Sequence, residues 1–493
     1  MQFDVVIIGL GPVGAALANL LGIFGLKTLV LEREAAIYDL PRAVHFDDEV
    51  MRIFQAIGVA DEVASVARIN PGMRFVDAEG TLLLDWPRPP GIGPNGWNSS
   101  YRFHQPDLEE ILRRTLGRFG HVTKRLNTEC TAIDDLGPHV EVHYRDTETG
   151  KTGSITANYV VGCDGARSFV RQAMATGMDD LGFRERWLVV DVLLKRPRPD
   201  LGDYTIQFCD PARPSTYVRC PENRRRWEIS LRDDEDADEI ATSESVWRLL
   251  ERWLTPQDAE LERKAVYEFR SVIANQWRNG RLLLAGDAAH QTPPFMGQGL
   301  CAGIRDVSNL AWKLARCSTG RADDSLLDTY ASERIPHVRQ YIETAVRLGG
   351  LINTSATQQA LQAAFPQADG SARMASITPP LGPGLHNAKD PRAGRLFPQA
   401  QLANGGKLDD KCGTGFALIV GEGLLADFEV DPDDQLVVQT TRGEPEIRRC
   451  LDETNTRAVL IRPDRYIMGA ADSVTGIKHL LAQATSIAAE PKR

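Results

Sequence analysis

Hydrophobic and polar positions fall into blocks along the chain, and the first block is the clearest. FDVVIIG from Phe3 reads as a buried apolar strand, unbroken from Val5 to Ile8 after the acid Asp4. PVGAALANLLGIFG from Pro12 repeats its apolar residues at helical spacing and stops at glycine, and KTLVLE from Lys27 is a second apolar run. Residues 3–32 therefore predict one βαβ unit. Asp48 to Ile57 predicts an amphipathic helix with Val50, Met51, Ile53 and Phe54 on its apolar side. Asp47 and Asp48, at its start, suit a cap and the helix dipole better than a catalytic role. Trp86 to Trp97 is dense in proline and glycine and predicts a loop anchored by its two tryptophans. A helix follows from Gln105 to Phe119, with Pro106 in its first turn.

Farther on, VEVHY (140–144) and ITANYVVG (155–162) alternate as antiparallel strands do. WLVVDVLL, YTIQF and WEISL fill residues 180–275 with β pattern and predict a separate sheet inserted between nucleotide-binding elements. Cys301 to Arg316 predicts a helix, residues 355–400 a linker, and residues 401–493 a small α/β unit. The expected division is 1–175 for the first part of a nucleotide-binding domain, with pieces near 73–100 joining the inserted sheet of 176–275. Residues 276–354 then return to the first domain and its following helices.

A chain of 493 residues exceeds one simple core, which suits this division. The net charge of -10 argues against a nucleic-acid partner. Arg224, Arg225 and Arg226, close before the acidic run Asp233 to Asp236, read as a solvated surface turn. No apolar run approaches the ~20 residues that span a bilayer, and the N-terminal block does not resemble a signal peptide. The eight cysteines are scattered without a C-x-x-C pair, which suits neither zinc nor a disulfide framework. A cytoplasmic protein with no metal and no membrane partner is expected.

The candidate chemistry lies in three turns. Gly9, Gly11 and Gly14, with Pro12 and Val13 between them, follow a strand and open a helix, the context in which G-x-G-x-x-G binds a dinucleotide pyrophosphate. Glu32, ahead of Arg33 at the end of the second strand, is placed to accept both ribose hydroxyls and to repel a 2′-phosphate, so FAD or NAD is preferred to NADP. GCDGARSFVR puts Asp164 at a strand end, and RLLLAGDAAH does the same with Gly286 and Asp287. A carboxylate there suits a polyol, and FAD carries a ribityl chain that NAD lacks. Pro293 and Pro294 stiffen the following backbone, while Gly297 and Gly299 let main-chain N–H groups approach a flat ring and stabilise negative charge on it.

These three turns, in this order, make the sequence resemble the single-component FAD-dependent aromatic hydroxylases (class A flavoprotein monooxygenases). PRAVHFDDEVMR (41–52), the stretch 281–315 and VLIRPDRYIMGA (459–470) are most similar to the hydroxyphenylpropionate-hydroxylase branch. The resemblance implies an α/β fold: a Rossmann-like FAD-binding domain with an inserted α+β substrate sheet, and a C-terminal thioredoxin-like domain that here lacks the redox cysteine pair. It implies non-covalent FAD, NADH or NADPH as a transient co-substrate, O₂, and a phenolic substrate hydroxylated ortho to its hydroxyl through a C4a-hydroperoxyflavin. It also implies site roles. Arg42 would contact pyrophosphate or flavin, Gln105 the ribityl region, and Asp287 the ribityl and pyrophosphate portion. Pro294 would face the reactive carbon, with Gly297, Gln298, Gly299 and Leu300 around the ring, and Asp164 would serve FAD and NAD(P)H alike.

His45 stands where the compared relative has a small residue, and is expected beside the substrate as a proton acceptor. Tyr217 and Arg219 are candidates for a substrate carboxylate or phenol, against a structural role, and His290 is expected to be a scaffold residue. A homodimer is compatible with the resemblance. Other phenols, a polyketide aromatic, or a flavin oxidoreductase that inserts no oxygen remain open as alternatives.

Overall fold

The computed structural model describes residues 2–38, 42–353, 376–427 and 436–485. Its first eight-stranded sheet is built on the predicted unit. Gln2–Ile8 pairs in parallel with Thr28–Leu31 on one side and with Thr152–Gly162 on the other. Val122–Arg125 and Leu282–Leu284 extend the parallel set outward. Val5, Val6 and Ile7 are fully buried, which is why this strand reads as a solid apolar run rather than an alternating one. Thr152–Gly162 does two jobs. Its first half pairs antiparallel with Val140–Asp146, as its alternation predicts, and from Thr156 on it runs parallel to the first strand.

The inserted region forms a second eight-stranded sheet around two long antiparallel strands, Met178–Leu194 and Ala259–Ala274. Gly72–Val76 and Leu82–Pro87 add to its far edge. Trp86 thus closes a strand instead of opening the loop, and both it and Trp97 are buried as anchors. One face of this sheet packs on the short helices of 237–250 through Leu188, Val190, Tyr217 and Trp227. The other face carries Phe75, Trp86 and Trp187, which meet Phe295 and Met296.

Two expectations are overturned here. Arg224, Arg225 and Arg226 lie on the strand Arg224–Ser230, and Arg226 is fully buried in a bidentate pair with Asp191 at 2.7 and 2.9 Å. Their charge hid a strand because its neutralising partner is 35 residues away. The second half of the expected linker is also packed. Phe397 and Ala400 sit in an apolar core with Ala417, Ile419 and Val459, and the amides of Gly394 and Phe397 bond the carbonyls of Ile467 and Arg465. Residues 355–375 of that segment lie outside the described residues. The C-terminal sheet has four strands, ordered 437–440, 417–420, 458–461 and 467–471, the first two parallel and the others antiparallel. Among the described residues no helix is long and apolar enough to cross a membrane.

Candidate active site: a cleft closed by three turns

Gly9, Gly11 and Gly14 differ in what they permit. Gly9 has φ +99°, and a Cβ there would lie 2.5 Å from the Cys163 carbonyl oxygen. A Cβ on Gly14 would lie 2.0 Å from the Gly9 carbonyl oxygen. Gly11 has no protein atom within 4 Å of its Cβ position, because that position opens into a cleft of about 520 Å³. The helix Pro12–Ile23 starts at Gly11 without a side-chain cap, so its first N–H groups are left for a ligand. Glu32 lines the same cleft, but its carboxylate also holds the turn, accepting Leu10 N–H at 2.7 Å and Glu34 N–H at 3.0 Å. Each oxygen retains acceptor capacity for a ribose hydroxyl. Pro12, Val13 and Arg33 also line the cleft.

At its other end the cleft meets the two acidic turns. Asp164 caps the following backbone, its Oδ2 accepting Phe169 N–H at 2.7 Å and Val170 N–H at 3.1 Å. Its Oδ1 is buried without a partner in the protein, and burial raises its pKa. Such an oxygen calls for a hydroxyl donor. Arg171 ties this turn to the next, reaching the Ala288 carbonyl at 2.8 Å. Asp287 lies open to the cleft yet surrounded by protein, and burial raises its pKa against the pull of His290 and Arg42. Gly286 has φ +62°, and its N–H bonds Asp306, which also accepts from His290 at 2.7 Å. His290 is buried against Trp277, the scaffold role expected of it.

Arg42 and Gln105 both line the cleft, but Gln105 has another occupation. Its side-chain oxygen accepts the N–H groups of Arg42 and Ala43 at 3.0 and 2.8 Å, and its amide nitrogen donates to Glu109. It therefore shapes the segment that presents Arg42, whose guanidinium stacks on Tyr38.

Pro293 to Gly299 forms the loop at the inner end, leading into the helix Gly299–Ser318. Gly297 takes φ +63°, and a Cβ there would strike the His45 ring at 2.9 Å. Gly299 and Leu300 face the cleft. Gln298 does not turn its side chain to a ring: its oxygen accepts from Arg305 at 3.1 Å, leaving only its main chain for a ligand. Arg305 in turn pairs with Asp47 and Glu49. Asp47 also caps its helix by accepting Val50 N–H at 3.2 Å.

His45 departs from its expected role. It is buried, with Nδ1 3.1 Å from the Gly297 carbonyl and Nε2 2.8 Å from the Ser100 hydroxyl, which Asn70 supports. The carbonyl can only accept, so Nδ1 carries the proton and Nε2 accepts from Ser100. Burial, with the charges of Arg102 and Arg88, lowers its pKa to about 3. His45 is a neutral tether for the ring loop rather than a base. A folded pKa below the unfolded value of about 6.5 means that the unfolded chain binds the extra proton, so this group costs stability as pH falls through 6.5. His45→Gln is therefore expected to flatten the acid-side loss of stability by one proton, about 2 kcal/mol at pH 5. Denaturant melts at several pH values test this, and an unchanged slope would reject the neutral assignment.

Tyr217 and Arg219 are not at the cleft. Tyr217 lies under the helices on the opposite face of the inserted sheet, packed on Trp227, and Arg219 pairs with Asp203 at a separate surface pocket. Four neighbours of this region were not singled out from sequence: Phe75 and Trp187, which pack with Phe295 of the ring loop, and Arg102 and Arg88, whose charges act on His45. Arg305 and Asp306 were also passed over, although two charges inside the apolar helix GLCAGIRDVSNLAW signal paired burial.

These residues suit FAD. The cleft has a carboxylate for ribose, uncapped helix N–H groups for pyrophosphate, two acidic turns for a polyol, and a glycine loop for a flat ring. The FAD binding domain family matches residues 2–345. The chain is 37% identical to a probable NADH-specific resorcinol 4-hydroxylase of Rhodococcus jostii (strain RHA1), covering 99% of this chain and 96% of that protein. It is 34% identical to a 3-(3-hydroxy-phenyl)propionate/3-hydroxycinnamic acid hydroxylase of Mycobacterium avium (strain 104), covering 95% and 89%. Among solved structures, the flavin-dependent monooxygenase PieE in complex with FAD and substrate matches with TM-score 0.85 at 23% identity, over 99% of both chains. Aklavinone-11 hydroxylase matches with TM-score 0.81 at 22% identity, over 98% and 99%.

Proposed function

Because the chain belongs to the FAD-dependent aromatic hydroxylases, we propose that it hydroxylates a phenol bearing a carboxylate, with NADH or NADPH and O₂ as co-substrates, to a catechol-type product. The observation that carries this reading is one cleft running from Glu32 past Asp164 and Asp287 to Gly299, where the ring loop ends and the helix Gly299–Ser318 begins. FAD held there would supply the redox chemistry, hydride acceptance from the nicotinamide and activation of O₂.

The chain's own residues bind, orient and exclude. Glu32 takes the ribose hydroxyls and the helix after Gly11 takes the pyrophosphate; Asp287 and the free oxygen of Asp164 take the polyol. Main-chain N–H groups after Gly297 stabilise charge on the ring. Phe75, Trp86, Trp187, Phe295 and Met296 form an apolar wall beside the loop, which excludes water from the reacting face.

The acidic substituent is supported by two arginines. Arg102 sits opposite His45 across a strand pair, 8% exposed, and donates to the Thr205 hydroxyl. Arg88, only half-buried, stacks on Trp86 and donates to the Ser376 hydroxyl at 2.9 Å. Among the described residues neither has a carboxylate at salt-bridge distance, and burial lowers both to about 10. A buried cation such as Arg102, whose charge no carboxylate of the described residues meets at salt-bridge distance, favours an anionic ligand. This supports a 3-(3-hydroxyphenyl)propionate-like acid over a neutral phenol such as resorcinol.

The test is NADH and NADPH consumption with hydroxyphenyl acids and neutral phenols, with the product identified by mass. Acid-stimulated consumption with a gain of one oxygen is expected. Arg102→Met should raise KM for the acid about 10- to 100-fold while changing resorcinol little. Stimulated consumption with no oxygenated product would favour the oxidoreductase alternative, and equal use of both phenols would remove the acidic requirement.

A further inference from the structure

The C-terminal unit touches the ring loop through a buried chain of side chains that the proposed reaction does not use. Tyr466, 5% exposed, lies at the turn between the strands Ala458–Ile461 and Ile467–Ala471. Its hydroxyl donates to Glu49 Oε1 at 2.7 Å. Glu49 Oε2 accepts from Arg305 Nε, and the other guanidinium nitrogens of Arg305 reach Asp47 Oδ2 and Gln298 Oε1. Gln298 follows Gly297 and precedes the first residue of the helix Gly299–Ser318. Asp47 is two residues from His45, whose ring holds the Gly297 carbonyl. One guanidinium thus grips the ring loop directly and its supporting strand, and a tyrosine of the C-terminal unit orients the carboxylate that holds that guanidinium.

We infer that the C-terminal unit positions the flavin-ring loop, with Tyr466 as the positioning residue acting through Glu49 and Arg305. The inference rests on the flavin site proposed above. Three features support a positioning role over simple docking. The chain is continuous at hydrogen-bonding distance, and Arg305 is 4% and Gln298 6% exposed. The guanidinium is planar, so its nitrogens turn together: a shift of the Nε held by Glu49 carries the nitrogens at Asp47 and Gln298 with it. Finally, docking has its own separate contacts. Arg52 is bidentate to Asp409, and Arg462 pairs with Glu333, so removing one hydroxyl leaves the unit seated.

Tyr466→Phe tests this, because it removes the hydroxyl and keeps the ring packed against His337. Purified holoenzyme and apoprotein would be compared for FAD dissociation constant, visible flavin spectrum and the ratio of peroxide to hydroxylated product. The expected result is FAD binding weaker by about three- to tenfold, a shifted flavin band and more peroxide. Arg449→Ala, an exposed residue of the same unit, should match wild type.

Glu49→Gln cuts the next link and should show the same signature, with the double variant no worse than Glu49→Gln alone. Wild-type affinity, spectrum and coupling in Tyr466→Phe would overturn the inference, as would additive effects in the double variant. If Tyr466→Phe fails to fold, a wild-type flavin spectrum and affinity in Glu49→Gln would overturn it. Wild-type protein that takes up no FAD would overturn the flavin reading and this inference with it.

Discussion

Gly11→Ala is expected to leave the apoprotein's thermal midpoint where it is and to remove most of its FAD affinity, whereas Gly14→Ala should damage both. The two glycines sit three residues apart in one turn, but their Cβ positions meet different things. At Gly14 the methyl would lie 2.0 Å from the Gly9 carbonyl oxygen, inside the protein, so the strand–helix turn must move. Overpacking of this kind costs about 1–3 kcal/mol of stability. At Gly11 no protein atom lies within 4 Å, so the methyl costs the empty fold little. That space is where a pyrophosphate would approach the helix N-terminus, and the methyl would hold it away from the N–H groups. A loss of about 10- to 100-fold in affinity is expected, the equivalent of about 1.4–2.8 kcal/mol. Thermal melts of both apoproteins with FAD titrations separate the cases. Unchanged FAD affinity in Gly11→Ala would mean that the ligand does not cross this turn.

Asp287→Ala should weaken FAD binding on a similar scale and leave the fold intact. Among the described residues the Asp287 side chain has no hydrogen-bond partner, and it faces the cleft. Hydrogen bonds to charged acceptors are worth about 1.5–3 kcal/mol, so one lost polyol contact predicts a dissociation constant raised about 10- to 150-fold. Asp287→Asn keeps an oxygen acceptor without the charge and should lose less. Its behaviour also addresses the raised pKa, because the carboxylate pays for its burial when ionised. Flavin fluorescence during titration of apoprotein gives the constants directly. An unchanged constant in the alanine variant would take Asp287 out of the binding site.

Much of the nucleotide end was legible in the sequence because its signals are local. A strand buried on both faces must be apolar throughout, which Val5 to Ile8 displays, and a turn that admits no side chain must carry glycine, as Gly9 and Gly14 do. Acids at strand ends marked Glu32, Asp164 and Asp287, and all three line the cleft. The helix Asp48–Ile57 was legible for the same reason, since its periodicity and its cap lie within a dozen residues. The roles of the polar residues around these elements were less legible. Gln105 reads as a ligand contact until its amide is found holding the backbone 63 residues earlier.

The substrate side was decided by the tertiary structure. Tyr217 falls within the region read as an inserted sheet, but the sequence could not say which face of that sheet turns to the flavin; that depends on where the whole sheet docks. Arg226 reads as solvated until Asp191 arrives from a neighbouring strand, and His45 reads as a base until the Gly297 carbonyl, 252 residues away, takes its proton-bearing nitrogen. Sequence by itself determined the apolar strands, the glycine turns and the acids that bracket a dinucleotide, because each is set by neighbours a few residues away. Only the tertiary structure decided the charge state of His45, the burial of Arg226 and the link from Tyr466 to Glu49 across 417 residues, because the energy of a buried polar group is set by the partner that the fold delivers to it.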